Sequence, residues 1–201
     1  MAWKPDYITA ADVKAYLRVT DAVDDAEFGI WATASSRAVD KKTNRQFGAV
    51  TGAVVRTYRR TPFYDPTSGL WLLEIDDLQD ATGLLVNGTA YASSGTTLFP
   101  ENAAADGKPY ERLAFISPPV LPTPGVSVPY AITSARWGWA AVPSQVIGAC
   151  KLQCSRWNAR RDSPFGVAGS PDSGGELRLL ARLDPDVATT LAGLSRRRSV
   201  G

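Results

Sequence analysis

Between Asp24 and Gly48 the chain carries one long amphipathic stripe, and a helix of that length with a single apolar side folds only against a core built by other segments. Phe28, Trp31, Ser35, Ala38 and Val39 recur at helical spacing, while Arg37, Lys41 and Lys42 fall largely off the stripe. Acidic residues open the segment at Asp24, Asp25 and Glu27, and basic ones close it, as the helix dipole favours. The remaining sequence supplies three partners. Thr9 caps a helix over residues 10–18, with Asp12 at the third helical position completing a capping box and Val13, Tyr16 and Leu17 sharing a face. Another helix opens at Val142-Pro143-Ser144, where proline in the first turn costs no hydrogen bond. Val146, Ala149, Cys150, Gln153, Cys154 and Trp157 form its stripe. The last starts at Asp184-Pro185-Asp186, lines one side with Val187, Leu191 and Leu194, and closes with Arg196, Arg197 and Arg198.

From about Val54 the pattern changes to short apolar runs broken by glycine, proline and aspartate: VVRTYRR, GLWLLEI, LLVNGTAY and RLAFI. These read as strands, and Asn87-Gly88 as a two-residue hairpin whose positions both need positive φ. Residues 118–129 hold five prolines and are expected to run extended as a strap. YAITSARWGW follows as a last strand, with Ile132 and Ser134 facing away from Thr133 and Ala135. Helices on either side of a β-rich middle make the chain α+β. The expected divisions are residues 1–48 (helices), 49–136 (β-rich), 137–161 (third helix) and 162–201 (loop and arm). The glycine- and proline-rich stretch 162–175 is expected to end the globular part, leaving the following helix as a tethered arm.

Composition removes whole classes of chemistry. There is no histidine among 201 residues, so the usual general base near neutral pH and the commonest metal ligand are both missing. Cys150 and Cys154 lie one helical turn apart on an apolar stripe and read as small buried hydrophobes. Two thiols make neither a zinc site nor, at this spacing, a thioredoxin-like motif. The carboxylate pairs Asp24-Asp25, Asp76-Asp77 and Asp184 with Asp186 read as turns and caps, and no phosphate-loop or nucleophile-elbow motif occurs. No enzyme, cofactor or metal is expected. No export signal or membrane span is read from the sequence, which suggests a chain made in the cytosol. The net charge is +2, from 22 basic and 20 acidic residues, too small for a general nucleic-acid binder. Residues 1–100 carry 10 basic and 12 acidic side chains and residues 101–201 carry 12 and 8, so the tail is the basic end.

The order of these features resembles the head–tail connector (adaptor, head-completion) proteins of tailed double-stranded DNA bacteriophages. YITAADVKAYLRV, the acidic break DAVDDAEF and the helix ending AVDKKTNRQFG carry the resemblance at one end. VPSQVIGACKLQCSRWNARR, the loop SPFGVAG and LDPDVATTLAGLSRRR carry it at the other, and it covers about residues 6–48 and 137–198. The resemblance implies a small helical bundle with a long central helix, an inserted β-rich region and an extended C-terminal arm ending in a short helix. It implies a structural virion protein at the neck, in a dodecameric ring beneath the portal that lengthens the DNA channel and docks the next neck or tail protein. Carried onto this chain, Leu183, Asp184, Val187, Leu191, Leu194 and Arg196, Arg197 and Arg198 become the portal-facing contacts.

Arg37, Lys41 and Lys42 are candidates for the subunit interface. A channel through which double-stranded DNA slides without sequence-specific binding calls for acidic walls, so Asp76, Asp77 and Asp80, or the stretch Asp21 to Glu27, are lining candidates. Two other readings remain open at this point. One is a β-rich carbohydrate- or polymer-binding module using Trp71, Trp137 and Trp139 as a stacking platform. The other is a stopper or tail-completion protein of the same neck.

Overall fold

The computed structural model describes residues 4–59, 61–117, 129–161 and 185–196, and the backbone of 167–168 and 177–178. The chain forms two compact units, a helical one from Lys4–Phe47 with Val142–Arg198 and a β unit from Gly48–Ala141. The fold is α+β, as the sequence pattern predicts. The second division falls after Ala141 and not at 136, because residues 137–139 pair within the β unit.

In the helical unit, α1 (Ala10–Leu17) begins at the expected capping box. Thr9 Oγ1 accepts the Asp12 N–H at 3.2 Å, and the Asp12 carboxylate accepts the Thr9 N–H at 2.9 Å. The long helix α2 (Asp25–Thr43) stops short of Gly48, because Asn44 turns left-handed at φ 52° and ends the ladder. With α3 (Ser144–Arg161) and α4 (Pro185–Leu191) it encloses a core of Val13, Phe28, Ala32, Val39, Val146, Ala149, Cys150, Cys154, Val187 and Leu191. Tyr16, expected beside Val13, is 48% exposed, so α1 contributes a narrower face than its sequence suggests.

Three acids of the stretch Asp21 to Glu27, at the start of α2, are engaged by ion pairs inside this unit. Lys14 meets Asp25 at 2.6 Å, and Arg161 meets Asp24 at 3.1 Å and Glu27 at 2.9 Å. Tyr7 fixes the entering chain. Its hydroxyl donates to Asp40 and accepts the Phe47 N–H at 3.0 Å, while its own N–H donates to Ser36 Oγ at 2.9 Å. Burial, with the bond to Asp40, pushes the Tyr7 hydroxyl well above its ordinary pKa, so the donor stays protonated.

The β unit holds two four-stranded antiparallel sheets. One runs β1 (Val54–Tyr58), β8 (Tyr130–Ser134), β4 (Leu85–Val86), β5 (Thr89–Ala90) in spatial order. The other runs β2 (Phe63–Asp65), β3 (Leu70–Leu78), β7 (Tyr110–Phe115), β6 (Thr96–Phe99). Between β4 and β5, Asn87 and Gly88 take φ 50° and 82°, the mirror-image turn read from the sequence. The Asn87 side chain then accepts the Ala131 N–H at 2.8 Å, holding the hairpin to β8. Leu73, Ile75, Leu78, Leu84, Val86, Leu98, Leu113, Ile132 and Trp137 form the core of this unit.

Residues 137–139 lock the β unit. Leu78 bridges to Trp137 and Ala49 to Gly138, and the Gly138 N–H donates to the Asp77 carbonyl at 2.6 Å. Trp139 N–H donates to the Gly48 carbonyl at 3.1 Å, and its indole Nε1 to the Asp77 carboxylate at 2.8 Å. Gly138 sits at φ 99°, and a Cβ there would lie 1.9 Å from the Gly48 carbonyl oxygen.

Beyond α3 the expectation of a non-globular tail fails. A short antiparallel pair, β9 (Val167–Ala168) with β10 (Leu177–Arg178), interrupts the segment, and α4 packs on α3 and α2 with Val187 and Leu191 fully buried. All of the proline strap 118–129 except Pro129, and most of the loop 162–175, lie outside the described residues.

Gly138→Ala is expected to destabilise the protein by at least about 2 kcal/mol in chemical denaturation, since the site combines positive φ with a backbone clash. A loss below about 0.5 kcal/mol would show that the crossing is not tight. Asp12 is held at about 2, chiefly by the Thr9 N–H. Its folded pKa therefore lies below the unfolded value near 4, so its stabilisation is present above about pH 4 and lost as pH falls toward 2. Asp12→Ala should cost about 0.5–1 kcal/mol at pH 7, and the difference from wild type should shrink in acid. Burial pushes the Cys150 thiol up to about 12 and raises Cys154 as well. Ellman's reagent at pH 8 should label both thiols at least roughly 100-fold more slowly in the native than in the unfolded chain; comparable rates would contradict their burial.

Candidate functional site

The C-terminal segment expected to reach a partner is latched onto the end of α2. Arg196 N–H donates to the Thr43 carbonyl at 2.8 Å, one of the carbonyls a helix end leaves without an intrahelical partner. Asn44 Nδ2 donates to the Arg196 carbonyl at 3.4 Å, and Arg45 Nη1 to the Leu194 carbonyl at 3.3 Å. Thr43, Asn44 and Arg45 were not singled out from sequence, because capping by a segment about 150 positions away leaves no local signature.

This geometry corrects the assignment of α4 contacts. Val187 and Leu191 have no exposed surface to offer a portal, since burying them against α2 and α3 already satisfies the apolar stripe. Leu194 is half-buried, whereas Asp186, Thr189 and Thr190 face solvent. Leu183, Asp184, Arg197 and Arg198 lie outside the described residues.

The three basic residues of α2 divide. Lys41 and Lys42 are exposed in its last turn. Arg37 is engaged within the chain: it pairs with Asp40 at 3.3 Å, donates to the Pro5 carbonyl and lies over the Tyr7 ring at 5.6 Å. Its guanidinium belongs to the clasp that holds the N-terminal segment.

The lining acids also separate. Asp77 is 3% exposed and accepts the Trp139 indole N–H, so it points into the β unit and does not line a channel. Asp76 is paired with Arg56 at 2.8 Å and accepts from the Tyr58 hydroxyl at 3.2 Å. That pair links β1 of one sheet to β3 of the other, with Arg56 stacked 4.7 Å from the Trp137 ring centre. Asp80 caps the Thr82 N–H at 2.8 Å and keeps nearly half its side chain in solvent, with Arg136 at 4.0 Å.

The aromatic platform is not assembled. Trp137 is fully buried and Trp139 is 5% exposed, each with its indole N–H bonded inside the β unit. Trp71 is half-buried and packs on Tyr64 at 5.5 Å. Among the described residues no group of three or more cysteine, aspartate or glutamate side chains is placed to hold a metal ion. No helix among them is long and apolar enough to cross a membrane.

No family model matches the sequence, and no curated protein matches it. Among solved structures, the chain is similar to one from the neck of an empty GTA particle, computed with C6 symmetry. The match covers 100% of this chain and 96% of the other at 16% identity, with a TM-score of 0.51. The two share a fold over their whole lengths.

Proposed function

We propose that this chain is a structural subunit of a virion neck, a head-to-tail connector that works as one member of a ring. The observation that carries this reading is the end-to-end fold match to a chain of a GTA particle's neck, with both the helical and the β unit included. Cyclic symmetry of the kind used for that neck arises from heterologous contacts, in which one patch of each subunit meets a different patch of the next. A dodecameric ring contains the sixfold operator and is the stoichiometry we assign.

The ring would sit beneath the portal, extend the DNA channel and present a docking face to a stopper or other neck or tail protein. Such work rests on shape and mutual docking and calls for no catalytic group. The geometry narrows the contacts. Lys41 and Lys42 are the exposed basic residues of α2 offered for the subunit interface, and half-buried Asp80 keeps the most side-chain surface in solvent of the three lining candidates. The exposed side of α4, with Asp186, and the basic end from Arg196 to Arg198 are offered to the portal.

Because α4 is part of the helical core, a truncation that tests the tail must begin after Arg196. A chain lacking residues 197–201 should keep its thermal midpoint yet lose at least about tenfold in co-sedimentation with the portal, as removal of clustered charges at an interface predicts. Undiminished binding by the folded truncation would remove the tail from the contact. Particle imaging with labelled protein checks the wider reading: label at the head–tail junction is expected, and label on the capsid shell or tail tip would refute a neck role.

A further inference from the structure

The β unit contains a small hollow of about 240 Å³ lined by Ala81, Tyr91, Thr97, Leu98, Glu101 and Tyr110. It is smaller than the roughly 300–1,000 Å³ of cofactor and drug-sized sites, and has room for a group the size of one side chain. Glu101, just after β6, is exposed, while the half-buried Tyr91 and Tyr110 line the same hollow. Among the described residues, the side chains of Glu101, Thr97 and Tyr110 make no hydrogen bond or ion pair. Tyr91 Oη accepts the Leu98 N–H at 3.1 Å, which fixes the ring and leaves the hydroxyl proton free to donate.

A hollow lined by one carboxylate and two tyrosines favours cations over anions. Between the two common cationic groups, a guanidinium suits the site better than an ammonium. It is planar, stacks on aromatic faces, and can still give a carboxylate two parallel N–H donors. We infer that this hollow is a binding site for an alkyl guanidinium, the side chain of an arginine, with Glu101 as its anionic partner and Tyr91 and Tyr110 as its aromatic walls. The inference does not depend on the neck assignment, because the recognition is local to the β unit.

The test is a titration of the full chain, carrying ring-labelled tyrosine, with acetyl-arginine amide at pH 7 and low salt, followed by NMR. Saturable shifts of the Tyr91 and Tyr110 resonances are expected, with a dissociation constant on the order of millimolar, as suits one side chain. The uncharged isostere acetyl-citrulline amide should bind at least about tenfold more weakly, and Glu101→Gln should lose a similar factor, since a charge-assisted hydrogen bond is removed. Tyr110→Phe, which keeps the ring, should stay within about threefold of wild type. Free arginine serves as a second arm. Tighter binding of the free amino acid assigns a small-molecule source, and weaker binding assigns an arginine embedded in a polypeptide; either supports the site. Equal affinity for arginine and citrulline amides, or unchanged affinity in a Glu101→Gln chain with otherwise matching spectra, would overturn it.

Discussion

The β unit depends on one close approach of backbones, at Gly138. A residue with a side chain cannot occupy that position without displacing backbone, because its Cβ would lie 1.9 Å from the Gly48 carbonyl oxygen. With glycine there, Trp137 turns its whole ring into the core and Trp139 delivers its indole N–H to Asp77. The buried carboxylate is thereby supplied with a donor, without which its desolvation would be costly. The salt bridge of Arg56 with Asp76 then spans the two sheets over the same tryptophan ring. Those contacts explain why residues rich in apparent surface chemistry serve the interior.

What could be read from sequence was whatever short-range geometry decides. Thr9 with Asp12, Pro143 before α3 and Asn87-Gly88 each act over two to four residues, and each does in the structure what its local chemistry dictates. The stripes of α2 and α3 were legible too, since periodicity encodes a buried side without saying what buries it. Long-range consequences were not legible. Nothing local distinguishes Asp77, which is buried, from Asp80, which is not; the difference is made by Trp139, 62 positions away. The tail is ambiguous in sequence for a related reason. A capped amphipathic helix after a glycine-rich stretch has the same sequence whether it docks on its own chain or on another, and here Val187 and Leu191 close the chain's own core. β2 and β6, only three and four residues long, carry too little pattern to register as strands.

The two units differ in how they hold together. The helical unit relies on apolar stripes trimmed by ion pairs at its rim, which are individually weak in water. Its buried polar contacts cluster where the chain enters, at Tyr7, Ser36 and Asp40. The β unit keeps its polar contacts at the crossing of 137–139 with 48–50 and 77–79. In both, polar groups mark where segments far apart in sequence are pinned together, and apolar groups supply the bulk of the burial.

The pairing of Gly48 with Trp139 and of Ala49 with Gly138 brings the two ends of the β unit side by side. To the helices before and after it, some ninety intervening residues therefore act as a tight hairpin would, because the ends are already clamped and ring-closure entropy hardly grows with the length enclosed. A cassette tied off at its ends in this way can be lengthened, shortened or exchanged during evolution without retuning the helices that precede and follow it in the chain.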